Sequence, residues 1–120
     1  QLTELGGPAV EGTYYSTGFS ADNSAPAVRD FVRRFRHRWD NTDPDSTAAL
    51  AYDAMMLYAD AIRRAGTTDR AALRAALAST RDFAGVTGRI TIDKDRNATK
   101  SAVMMRVAAG RTEFVETVDP

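Results

Sequence analysis

Cysteine is absent from the 120 residues, and histidine occurs once, at position 37. Without thiols the chain has no disulfide framework, thiolate nucleophile or zinc–thiolate site, and its redox compartment leaves no trace in the sequence. A lone histidine removes most acid–base schemes. Neither sign of charge is in excess, because 16 Lys and Arg balance 16 Asp and Glu. That argues against a nucleic-acid partner held by a general phosphate-attracting field, and an anionic membrane is equally unsupported. The longest apolar run, residues 47–62, is broken by Asp53 and Asp60 and is shorter than the ~20 apolar residues a bilayer span needs. There is no Gly-rich phosphate loop, HExxH or GxSxG, so the usual signatures of phosphate, zinc and serine chemistry are missing. The chain opens on Gln1 with no basic and then apolar leader, so any targeting segment is expected to have been removed or to lie outside this stretch.

What is present describes an ordinary soluble chain, 43% hydrophobic and 8% aromatic. One domain's worth of residues can bury about two thirds of its unfolded surface, enough to fold without a metal or cofactor, and none is expected. Residues 1–12, with Gly6, Gly7, Pro8 and Gly12, read as a loop feeding a short strand, Thr13 to Thr17. Pro26 suits the first turn of a helix on which Val28, Phe31, Val32, Phe35 and Trp39 share one face to be buried. Five arginines on that helix, at 29, 33, 34, 36 and 38, read as spread around the remaining arc, with His37 a surface histidine. Residues 40–46 are a polar breaker supplying Asp45 or Ser46 as the cap of a second helix, about Thr47 to Ala65. This helix is apolar nearly all round, so other elements should cover most of it; Asp53 within it should be held by hydrogen-bond donors. Asp60 and Arg64 are spaced for an exposed ion pair. Asp69 caps a third helix, Arg70 to Ser79; Phe83 to Gly88 reads as a loop, Arg89–Ile92 as a strand, and Val103–Val118 as a hairpin turning at Ala109-Gly110. The predicted order is β-α-α-α-β-β-β.

Several features imitate sites. Asp93, Asp95 and Asn97 match the start of a calcium loop, but Ala98 stands at its glycine and Met104 at its bidentate glutamate. Asn97-Ala98-Thr99 is a glycosylation sequon of the kind that arises by chance. No carboxylate pair is selected by its spacing, and Met55, Met56, Met104 and Met105 read as packing.

Five segments in order carry more: Val10-Glu-Gly-Thr-Tyr-Tyr, Val28-Arg-Asp-Phe-Val-Arg-Arg-Phe, Ala48-Ala-Leu-Ala-Tyr-Asp-Ala, Thr68-Asp-Arg-Ala-Ala-Leu-Arg-Ala-Ala-Leu and Phe83-Ala-Gly-Val-Thr-Gly-Arg-Ile-Thr-Ile-Asp. The set resembles the type I periplasmic binding proteins, in the leucine/isoleucine/valine-binding branch of extracellular ligand-binding receptors that serve ABC importers. The resemblance covers nearly all of this chain but only about the last third of a family member.

The resemblance implies an α/β fold of two Rossmann-like lobes joined by three crossovers, with ligand in the cleft between them. Residues 1–17 and 103–120 would belong to the C-terminal lobe and 21–100 to the N-terminal lobe, with crossovers near 18–21 and 99–104. It implies no enzyme chemistry; its partners would be a branched-chain amino acid or related small polar solute, bound by hinge closure, and the membrane subunits of an ABC transporter. The location would be periplasmic or extracellular, with a lipid anchor in the complete protein as an option. The turn before the Tyr-Asp-Ala helix belongs at the cleft wall, where the family often carries an aromatic; here it holds Ser46 and Thr47. Tyr15 and Phe19, near the second crossover, are the other candidates. Capping competes for Ser46, anion binding by the helix N-terminus is a further use of that turn, and core burial competes for Tyr15 and Phe19. A ligand-sensing domain of the same fold is the alternative function, and an autonomous enzyme would require a closed pocket with clustered, perturbed titratable groups. Uncovered apolar faces would make this stretch associate with itself.

Overall fold

The structure is a computed structural model that describes residues 2–119. Gln1 and Pro120, the outer ends of the stretches assigned to the C-terminal lobe, lie outside the described residues. Helix α1, Leu2–Gly6, runs into a 3-10 turn, Gly7–Val10, where the sequence reading expected a loop. Pro8 sits in the first turn of that 3-10 segment, so residues taken as breakers mark a change of helix type. Strand β1 is Tyr14–Thr17.

Helix α2, Pro26–Arg38, buries Val28, Phe31 and Val32 as their spacing requires. Trp39 does not join them: it lies past the last helical residue and is 53% exposed. Asp40 and Asn41 take positive φ of 45° and 61°, a conformation these two residue types tolerate, and they turn the chain out of the helix. Helix α3, Ser46–Ala65, is capped by Asp45, whose carboxylate accepts the Ala48 amide at 2.7 Å, and stops at left-handed Gly66. Helix α4, Arg70–Ala78, is capped by Asp69, which accepts from Ala71 and Ala72. Phe31 and Tyr52 meet at 4.8 Å between ring centres, tilted by 40°, where α2 meets α3, and Phe19, Ala49 and Val86 complete that core.

Strands β2 (Phe83–Gly85), β3 (Gly88–Ile92) and β4 (Ala98–Lys100) form one antiparallel sheet, and β5 (Ala102–Ala108) and β6 (Arg111–Val118) join β1 in another, ordered β1-β5-β6. Phe83–Gly85 is therefore a strand, not part of a loop. Gly85 is required by proximity: a β-carbon there would stand 2.5 Å from Asp53 Oδ2. Asp53 is 2% exposed, and its carboxylate accepts the Val86 and Thr87 amides at 2.8 Å each, the structural hydrogen bonding expected of it. The two most telling motifs, Tyr-Asp-Ala on α3 and Gly-Val-Thr-Gly between β2 and β3, are thus halves of one contact. Along β5, Val103, Met105 and Val107 are buried and alternate with half-buried neighbours. The Ala109-Gly110 turn takes positive φ at both residues, the geometry of a tight two-residue hairpin. The Glu11 carboxylate accepts both turn amides, at 2.7 and 3.2 Å.

The chain is more open than a compact domain of its size. Its radius of gyration is 16.6 Å, against about 13.6 Å from the usual scaling for this length. Its accessible surface is 8139 Å², against roughly 6,400 Å² for a folded monomer of this mass. Part of the excess is on α3, where Leu50, Met55, Met56 and Tyr58 are exposed. The expectation that other elements cover most of this helix is not met within the chain.

Candidate functional site

Where β1 runs out toward α2, the chain crosses the start of α3, and the two segments are tied by side chains. Thr17 Oγ1 and Ser46 Oγ are 2.9 Å apart, and Ser46 Oγ donates to the Phe19 carbonyl at 3.5 Å. The first helical position suits this role: Asp45 already caps α3, so the Ser46 hydroxyl is released from capping and faces β1. The same Asp45 carboxylate occupies the Ala48 amide, so an external anion at this helix start would compete with the chain's own.

Above this tie lies an open concavity of about 420 Å³. Tyr15, Phe19 and Ser46 all line it, with Thr17, Met105 and Thr112. Tyr15 is half-buried, cross-strand from Met105, while Tyr14 on the other face is exposed, as alternation along a strand dictates. Phe19 serves the core as well: it is 5% exposed and meets Phe31 edge-on at 5.8 Å. Thr47, the fourth candidate, is exposed and does not line the concavity. Three carboxylates also line it: Asp22, and Asp43 and Asp45 from the polar breaker before α3. Asp43 pairs with Arg36 at 2.5 Å. Two of the three are already engaged, Asp45 by the Ala48 amide and Asp43 by Arg36; the Asp-Pro-Asp-Ser sequence before α3 was the signal available.

A second tie lies beside it. Lys100 Nζ donates to the Gly18 carbonyl at 3.2 Å, linking the end of β4 to the end of β1. Burial pushes the Lys100 ammonium below its ordinary value, and the Asp53 charge acts in the opposite sense. The stretches read as crossovers, 18–21 and 99–104, are the connector after β1 and the passage from β4 through Ser101 into β5. Asp93 accepts the Asp95 and Asn97 amides at 2.8 Å each, so its carboxylate closes a turn. Among the described residues no group of acidic, histidine or cysteine side chains is arranged to hold a metal. The other displaced ionisations belong to exposed arginine–carboxylate pairs spread over the surface and to Arg34 beside Tyr52.

With this geometry in view, a family model described as periplasmic binding protein matches residues 1–112, and the chain belongs to that family. Its fold is part of the type I periplasmic binding protein fold, mixed α/β with two sheets. A leucine-binding protein, LivK, from Thermotoga maritima is 37% identical, with a TM-score of 0.79 over 99% of this chain and 34% of that one. A putative branched-chain amino acid ABC transporter from Rhodospirillum rubrum is 38% identical, with a TM-score of 0.83 over 93% of this chain and 33% of that one. The branched-chain amino acid transporter substrate binding protein LivJ from Streptococcus pneumoniae, solved in complex with isoleucine, is 36% identical, with a TM-score of 0.75 over 89% of this chain and 30% of that one. The chain spans about a third of the length of these structures. No curated protein matches it. No helix among the described residues is long and apolar enough to cross a membrane.

Proposed function

We propose that this chain is part of the solute-binding component of an ABC uptake transporter, working in the periplasm or outside the cell and taking a branched-chain amino acid or a related small polar solute. It supplies part of one cleft wall and two hinge passages; no bond is made or broken. The observation that carries this reading is the Thr17–Ser46 tie beneath the concavity, which joins the β1 sheet to the α3 side of the chain. On the two-lobe assignment, with 1–17 and 103–120 in one lobe, 21–100 in the other and crossovers near 18–21 and 99–104, that tie bridges the lobes and the Lys100–Gly18 bond joins the two crossovers, where hinge closure would move them. Tyr15 and Ser46 then contact solute, Phe19 positions the wall from the core, and Thr47, which faces solvent here, meets solute only on closure. A lipid anchor elsewhere in the whole protein fits the same reading.

Calorimetry of the whole protein with leucine, isoleucine, valine, amides and small carboxylates tests it. Ser46→Ala is expected to weaken the preferred solute about tenfold, the worth of one buried hydrogen bond. Absence of binding across the panel refutes the proposal, and unchanged affinity in Ser46→Ala removes Ser46 from the site.

A further inference from the structure

Of the chain's eight glycines, seven have a local reason to be glycine: each takes a positive φ or would set a β-carbon less than 3.0 Å from a neighbouring atom. Gly18 is the exception. Its φ lies outside the left-handed region, and a β-carbon there would stand 3.5 Å from Lys100 Nζ and 3.7 Å from Leu50 Cδ1, ordinary van der Waals contact. Alanine fits the conformation described here, so the backbone freedom peculiar to glycine goes unused in it. A second conformation of this segment is where that freedom would serve.

Gly18 bends the chain between β1 and α2, in the passage read as the second crossover. Side chains hold this passage: Lys100 Nζ donates to the Gly18 carbonyl at 3.2 Å, and Ser46 Oγ to the Phe19 carbonyl at 3.5 Å. Such bonds part without breaking a strand or a helix. The companion passage is built differently. Lys100 stands in the β4 ladder opposite Ile90, and β5 begins at Ala102. Ser101 between them is 2% exposed and donates to Asp119 at 2.7 Å, and its Oγ would lie 2.8 Å from a β-carbon on Gly88. One passage is thus stiff and the other loose, so bending concentrates in the loose one. We infer that Gly18 is the flexing point of the hinge and that Lys100 latches it in the conformation described here. Resting on the function and lobe assignment proposed above, both are positioning residues for solute capture, and neither lines the concavity at β1. The two act in opposite senses. Gly18→Ala narrows the backbone's choices in favour of the present conformation, whereas Lys100→Met keeps an apolar stem, removes the donor and disfavours it. Whichever lobe arrangement the present conformation belongs to, the two substitutions therefore move the closure equilibrium, and solute affinity with it, in opposite directions.

The test uses the whole protein with spin labels on Thr68→Cys and Arg111→Cys. Both positions are exposed, just past the ends of α3 and β5 that lie away from the crossovers, and in opposite lobes on the proposed assignment, where rotation moves them most. Pulsed electron paramagnetic resonance reads the distance between the labels without solute, and calorimetry reads affinity for leucine, isoleucine and valine. Gly18→Ala is expected to narrow the distance distribution and to shift affinity about threefold. Lys100→Met is expected to broaden it and to shift affinity about fivefold the other way. Each shift should be the same factor for all three solutes, because neither residue touches them. An unchanged distribution in either variant, affinity shifts in one direction, or a changed order of preference among the solutes overturns the proposal. Gly18→Ala displaces no neighbour, so it decides alone if Lys100→Met fails to fold. If no solute binds even the unaltered protein, the functional reading fails on that arm, and the distances without solute still decide whether Gly18 is the flexing point.

Discussion

The two sides of α3 are apolar in similar measure and are treated in opposite ways. On its inner side Ala49 and Ala61 are fully buried, and Asp53 gives both carboxylate oxygens to buried amides. On its outer side Met55 and Tyr58 face solvent, Met55 at 67% exposure. A helix that is hydrophobic all round belongs in an interior. The contrast therefore separates the side of α3 that this chain seals by itself from the side it leaves bare.

The largest expected effect is on the completed side. Asp53→Ala leaves two buried N–H groups without acceptors and should cost about 3 kcal/mol of unfolding free energy in the whole protein. Gly85→Ala, which drives a methyl into the same carboxylate, should cost about 2 kcal/mol. Chemical denaturation of the double variant is expected to give less than the sum of the two, because removing the carboxylate removes the clash. Additive losses would separate Gly85 from Asp53 and break the account of the inner face.

On the outer side, Met55→Ser should cost about 2 kcal/mol in the whole protein if the remaining fold covers that face. Near-zero cost would mean it stays open, and the contrast would vanish. The 120-residue stretch by itself, with the face bare, is expected to self-associate; light scattering that finds a monomer at high concentration would contradict this.

The smallest effect lies at the far end of α3. Arg64 pairs with Asp60 at 2.7 Å and also donates to the Ala76 carbonyl, Ser79 Oγ and Thr80 Oγ1, fastening α3 to α4. Arg64→Ala should cost about 1 kcal/mol. Hydrogen bonds from Arg64 first, and then Arg63, hold the Asp60 carboxyl below its ordinary value. Its contribution is thus fully present at neutral pH, begins to fade as acid reaches the ordinary carboxylate range, and is lost once pH drops through the lowered folded value. Acid titration of Asp60→Asn should lack that component of the stability loss; an identical acid profile would mean the pair contributes nothing.

Local signals in the sequence carried far where one short stretch settles the structure. Pro26, Asp45, Gly66 and Asp69 mark helix ends close to where the structure has them, because capping and left-handed stops are chemistry between neighbours. The Ala109-Gly110 turn and the alternation of Val103, Met105 and Val107 were legible for the same reason. Trp39 was misread because spacing continues its stripe past the point where Asp40 and Asn41 end the helix. Phe83–Gly85 was misread because its glycine answers a carboxylate 32 positions away, a neighbour no local pattern contains. At the candidate site, three of the four proposed residues share a concavity, but the tie to Thr17 was invisible until β1 and α3 were brought together.

The sequence by itself determined the three long helices, their caps, the final hairpin and a resemblance to one family, since each of these rests on residue order within a few turns of chain. Only the tertiary structure decided which side of α3 is sealed, why Gly85 must be glycine and which hydroxyls meet at the end of β1. Those outcomes depend on distances between residues far apart in the chain, and folding alone sets such distances.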